Sequence, residues 1–152
     1  MPNCFFIGHR DAPDELRPML AEAVERHISE YGVTEFIVGH YGRFDAMAAA
    51  AVRAAKKRHP EVTLVLLLPY YPFQYDAGEN DASFYPPDME SVPKPLAIVR
   101  ANEYMVRHCD RLICYNEGYI GNTRRLLALA ERRAQSGLLR IENLGSPEAP
   151  NM

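Results

Sequence analysis

Short apolar runs alternate with longer stretches of helical periodicity along most of the chain. The runs cover residues 4–7, 35–38, 62–68, 111–115 and 138–144. The first four are almost continuously apolar, as expected of parallel strands covered on both faces. In the fifth, Arg140 and Glu142 alternate with Leu139 and Ile141, a pattern suited to a sheet edge. Between the runs, Leu16, Met19, Leu20, Ala23, Val24, His27 and Ile28 recur at helical spacing and predict a first helix starting near Pro13 and closing at Gly32. Three more helices are predicted, over 44–58, 96–108 and from Asn122–Thr123 to Gly137. Strand alternating with helix predicts a three-layer, Rossmann-like α/β fold with a mainly parallel sheet of about five strands and right-handed crossovers. Residues 1–145 read as one such domain, and 146–152 as a flexible tail. The exception to the alternation is a long connection over 69–92, rich in Tyr, Pro, Asp and Gly. It is a candidate lid; a plain surface excursion or an oligomer contact fits it equally.

Composition narrows the function classes. The 152 residues are 47% hydrophobic and 24% charged, with a formal net charge of −3. That overall field offers no attraction to phosphates or anionic lipid, so nucleic acid and membrane are not expected as partners and any anion site must be local. The longest apolar run falls far short of the roughly 20 residues that span a bilayer. The start of the chain lacks a signal-peptide pattern. Cys4, Cys109 and Cys114 fit neither a disulfide framework nor a zinc spacing, so a cytoplasmic protein with reduced thiols and no metal is expected.

In an open parallel sheet, ligands bind at the carboxyl ends of the strands. That edge should carry Gly8-His9-Arg10, Gly39 to Asp45, Pro69-Tyr70-Tyr71 and Asn116 to Thr123. Gly42 before the second helix and Gly121 before the fourth place helix-start amides where an anion can rest. Arg10 either clamps a phosphate or pairs with Asp11 or Asp14. Asp45 either steadies its helix dipole or takes a ribose hydroxyl. His9 and His40 are acid–base candidates or simply packed turn residues. Tyr70 and Tyr71 are candidate base contacts, though proline-rich aromatic clusters also pack on themselves. No triad, metal cluster or phosphate-loop motif stands out.

The segments "FFIGHR", "IVGHYGRFD", "LAIVRANEYMVRHCDRLICYNEGYIGNT" and "RIENL" occur in the order, and at the spacing, of the SLOG superfamily. That superfamily joins the DprA (Smf) proteins with the LOG, or lysine decarboxylase-like, proteins. Over residues 3 to 145 the chain resembles its bacterial YpsA-like branch. The resemblance implies a Rossmann-like domain that binds a nucleotide or nucleotide-derived ligand of NAD, ADP-ribose or nucleoside phosphate type, with no certain cofactor. It maps binding onto Gly8, Arg10, Gly39, Gly42, Phe44, Asp45, Arg100, Asn102, Gly121 and Thr123, with Asn122 beside them. It alone marks Arg100 and Asn102, since a solvated helical face is their default reading.

One departure bears on chemistry. LOG enzymes cleave a ribose–base bond with a glutamate three residues after the motif threonine. In "GYIGNTRRLL" that position is Leu126. Because such cleavage needs a carboxylate nearby, the leading expectation is a sensor or sequestering protein. An N-glycosidic hydrolase or transferase using a relocated acid such as Glu117 or Asp45 is the alternative. An interaction module with a vestigial pocket is a third, and a homo-oligomer stays open.

Overall fold

A computed structural model describes residues 2–40, 42–70, 80–115 and 122–145, for Asn122 the backbone alone. Six strands appear in it: β1 (Asn3–Ile7), β2 (Glu35–Val38), β3 (Thr63–Leu67), β4 (Ala82–Phe84), β5 (Arg111–Cys114) and β6 (Arg140–Asn143). They form one sheet in the order β4-β3-β2-β1-β5-β6, and every pairing is parallel. The helices are α1 (Leu16–Ser29), α2 (Arg43–Lys56), α3 (Lys94–His108) and α4 (Asn122–Gln135).

The alternation of strand residues sorts the core into two halves. Cys4, Phe6, Phe36, Val38, Leu64, Leu66 and Ile113 pack with the buried faces of α1 and α2. Phe5, Ile7, Ile37, Val65, Leu67, Leu112 and Cys114 pack with α3 and α4. The predicted α/β architecture is therefore observed, with its sheet carrying apolar side chains to both sides. The apolar stripe predicted for α1 is buried at Leu16, Leu20, Ala23, Val24, His27 and Ile28.

Two expectations need adjustment. The sheet has six strands rather than about five, because the long connection contributes β4. Its main-chain bonds run from Asp81 to Leu64 O (3.0 Å) and from Leu68 to Phe84 O (2.8 Å). The Asp81 carboxylate also accepts the Leu64 amide at 2.8 Å and pairs with Lys56, fastening the edge strand to β3 and α2. Second, α1 starts at Leu16, not near Pro13. Pro13 and Asp14 instead form the preceding turn, accepting the amides of Leu16 (3.1 Å) and Arg17 (3.0 Å).

All three cysteines are buried and free. Burial pushes the Cys109 and Cys114 thiols up to about 12 and raises Cys4 well above the thiol range, so none is poised as a thiolate. No helix among the described residues is long and apolar enough to cross a membrane.

Candidate functional site

At the carboxyl edge, the turn after β1 and the turn after β2 are packed directly on one another. A Cβ on Gly8 would fall within the Phe44 ring, 2.6 Å from Cδ1 and closer still to Cγ and Cδ2, and one on Gly42 would lie 2.5 Å from Cβ of Arg10. Only hydrogen fits at either place. Gly42 itself is extended (φ −165°), so close approach rather than backbone strain sets the requirement. The Arg43 amide donates to Arg10 O at 2.9 Å, and the Arg43 Nε donates to Ala12 O at 2.9 Å. Its Nη2 pairs with Asp14, whose carboxyl is held below the usual range by Arg17 and Arg43. Arg43 thus bolts the start of α2 to the β1–α1 turn.

Above this floor lies a crevice of about 570 Å³. Its polar wall comes from Gly8, His9, Arg10, Gly39, His40, Gly42, Asp45, Asn102 and Thr123, and its apolar wall from Phe6, Ile7, Ile98 and Leu126. A second recess of about 310 Å³ adjoins it, sharing Gly39, His40, Gly42 and Asp45 and adding Arg53 and Asn80. Asp45 therefore stands at the junction of two lobes. The crevice falls well within the roughly 300–1,000 Å³ typical of small-ligand pockets, and the recess at its lower end. Arg43 spends its amide on Arg10, and the Ala46 amide bonds Gly42 O at 3.1 Å, closing the first turn at the positive end of α2. His9 is set edge-on to Tyr115, with ring centroids 6.0 Å apart.

Of the sequence-predicted residues, Gly8, Arg10, Gly39, Gly42, Asp45, Asn102 and Thr123 line this crevice. Phe44 has its ring sealed beneath, 1% exposed and tilted against Phe6, so it can offer a ligand only main chain. Arg100 is not in the lining. It is exposed and stands 3.8 Å from Glu103, because residues two apart on a helix cannot share the face that Asn102 presents. Tyr70 lines neither lobe; it packs against the α3–α4 core with Lys94 Nζ 4.9 Å over its ring. Tyr71, Glu117 and Gly121, the Asn122 side chain and the 146–152 tail lie outside the described residues.

Sequence reasoning overlooked Ile98, Arg53 and Asn80. Two of these had a signal. Ile98 is one turn before Asn102, and Arg53 follows Asp45 and Ala49 at four-residue steps, so each shares a helical face with a predicted residue. Asn80 had none. Leu126, noted only for its position in a motif, is a wall of the crevice, where the LOG pattern would place a carboxylate. Among the described lining residues Asp45 is the sole carboxylate, and no group of three or more metal-ligating side chains gathers among the described residues.

No protein-family model matches the sequence, and no curated protein matches it. Solved structures do. DNA processing protein A (DprA) from Streptococcus pneumoniae superposes with a TM-score of 0.63 at 15% identity, over 94% of this chain and 50% of that one. A structure of DNA processing protein A from Helicobacter pylori, described as giving insight into its single-stranded DNA binding mode, superposes with a TM-score of 0.60 at 14% identity, over 93% and 64%. The chain thus has the fold of these DprA proteins and spans half to about two thirds of their length.

This likeness corrects the expectation that nucleic acid is not a partner, since one of the neighbours sharing the fold binds single-stranded DNA. The error lay in judging from a whole-chain charge. A net −3 is a sum, and within it Arg107, Arg125 and Arg132 still crowd the groove between α3 and α4 around Glu103. Fields act locally once separations exceed a screening length of about 8 Å.

Proposed function

We propose that the crevice binds one nucleotide unit, with phosphate at the start of α2 and Arg10, and sugar hydroxyls at Asp45 and Asn102. The observation that carries this is the convergence of those groups from three separate elements on a single cavity with an apolar wall. Ile98 and Leu126 offer that wall to a base. The motifs that resemble the YpsA-like branch support a free, nucleotide-derived ligand, of NAD, ADP-ribose or nucleoside phosphate type, held by a cytoplasmic sensor or sequestering protein. A lone carboxylate among the described lining residues favours holding over cleaving, since glycosidic hydrolysis ordinarily employs two.

A thermal-shift panel of AMP, ADP-ribose and NAD tests the reading. At 100 times its dissociation constant a ligand adds about 2.7 kcal/mol of stability. Arg10→Ala and Asp45→Asn should each weaken that gain, measured against each variant's own unliganded midpoint. Absence of any shift across the panel defeats the reading for free ligands.

A second reading, favoured by the Helicobacter pylori neighbour, is that the unit belongs to single-stranded DNA. Fluorescence anisotropy with a short labelled oligonucleotide separates the two. Affinity that falls steeply with salt, and that Arg10→Ala reduces, supports the strand. Binding of mononucleotides but not of the oligonucleotide supports the free ligand.

A further inference from the structure

Among the described residues β6 is an edge of the sheet. In a strand, the main-chain N–H and C=O of successive residues turn to opposite neighbours. Arg140 and Leu144 turn theirs inward, donating to Asp110 O (3.2 Å) and Cys114 O (2.8 Å), and Glu142 shares their parity. The main chain of Leu139 and Ile141 therefore faces outward, away from β5. Side chains divide the same way. Arg140 and Glu142 border, with Met19 and Arg26 of α1, a groove of about 370 Å³ beside the edge. Ile141 packs toward the core beneath α3 and α4.

The order of residues 138–144, Leu-Leu-Arg-Ile-Glu-Asn-Leu, is its own antiparallel complement. A twofold axis at Ile141 sets Ile141 against Ile141, Leu139 against Asn143, Arg140 against Glu142 and Leu138 against Leu144. The outward main chain of Ile141 then falls at a hydrogen-bonded pair. Arg140 and Glu142 fall at the non-bonded pairs flanking it, where side chains approach most closely, about 4.5–5.5 Å between Cβ atoms. Leu138, 63% exposed, gains an apolar neighbour. An axis at Arg140 or at Glu142 instead opposes like charges and turns the wrong main-chain groups together.

We propose that β6 pairs antiparallel with β6 of a second copy, about a twofold axis at Ile141, joining two six-stranded sheets into one. Charges on an edge strand ordinarily keep other strands away. Here their order leaves this register attractive and its neighbours repulsive. Glu142, already bonded to Arg26 within its own chain, is approached across the axis by Arg140 of the second copy.

Light scattering coupled to size exclusion measures the mass of the whole chain. At about 0.1 mM, a pair with a micromolar dissociation constant is dimeric, and the wild-type mass should be doubled. Arg140→Glu sets carboxylate against carboxylate, and Glu142→Arg sets guanidinium against guanidinium. Each should run as a monomer with an unchanged circular dichroism spectrum. Mixing the two restores opposite charges at both pairs and should recover the dimer, which a folding defect cannot do. If Glu142→Arg fails to fold for want of the Arg26 bond, Arg140→Glu decides alone, its side chain being exposed. A monomeric wild type, a dimer that survives Arg140→Glu, or a folded mixture that stays monomeric each overturns the proposal.

Discussion

Replacing Gly8 by alanine inserts one methyl group where the β1–α1 turn lies against the Phe44 ring. The ring cannot swing aside cheaply, since it is 1% exposed and meets Phe6 with centroids 6.5 Å apart. Overpacking of this kind costs about 1–3 kcal/mol. For a chain of this size each kcal/mol lowers the midpoint by roughly 2–4 °C, so Gly8→Ala should melt roughly 2–12 °C below wild type. Phe44→Ala removes every ring atom the methyl would strike and by itself costs about 3–5 kcal/mol. In the double variant the new methyl occupies vacated space. The two costs should then fall short of additivity by about 1–3 kcal/mol, read from urea midpoints at constant slope. A Gly8→Ala midpoint equal to wild type, or costs that simply add, would refute the contact as the reason for the glycine.

Three further outcomes are expected. His27 is buried, its Nδ1–H donating to Ala23 O at 2.7 Å, and burial lowers its pKa from 6.5 to about 4. The unfolded chain takes up this proton first, so stability is complete above pH 6.5 and declines as pH falls toward 4, by at most about 3 kcal/mol. Urea midpoints of wild type and His27→Gln across that window test it, and equal slopes in both would count against His27. Arg133 donates to Val106 O (2.6 Å), Cys109 O (2.9 Å) and Leu138 O (3.3 Å), closing the carbonyl end of α3. Arg133→Ala should cost about 1.5–3 kcal/mol, and Arg133→Lys should recover little because an ammonium lacks the fork; full rescue by lysine would sink that account. Asp81→Ala removes the acceptor for the Leu64 amide and the Lys56 partner. Faster hydrogen exchange at Leu64 and Leu68, with the β1 amides unchanged, is the expected signature, and a uniform change across the sheet would contradict it.

Elements with a long repeating pattern were legible in the chain, and those made by pairing alone were not. The apolar runs at 4–7, 35–38, 62–68 and 111–115 each hold a strand because a central parallel strand must be apolar on both faces. β4 carried no such mark. Ala82-Ser83-Phe84 is three residues long, with Ala82 and Ser83 exposed, and becomes a strand only because β3 is there to pair with it. The crevice was legible through topology, since the carboxyl-edge rule gathers Gly8, Arg10, Gly39, Gly42 and Asp45 without any motif. Orientation around a helix was the step missed. Arg100 and Asn102 are neighbours in sequence yet stand on different faces, and the face of Asn102 leads to Ile98 instead.

The glycines that first suggest an anion site turn out to have a sufficient reason in packing. Gly8 makes room for Phe44, and Gly42 makes room for Arg10, whether or not anything binds above them. What separates structure from function here is how each polar group is used. Arg43 and Arg10 sit at the same junction. Arg43 commits its amide, its Nε and its Nη2 to Arg10, Ala12 and Asp14, so its charge is spent on holding two turns together. Arg10 gives that junction a carbonyl hydrogen bond and packing against Gly42, and it lines the crevice. Removing Arg43 should therefore loosen the fold and the site together, whereas removing the Arg10 side chain should chiefly cost binding. That contrast, more than the glycines themselves, is what the proposed nucleotide site rests on.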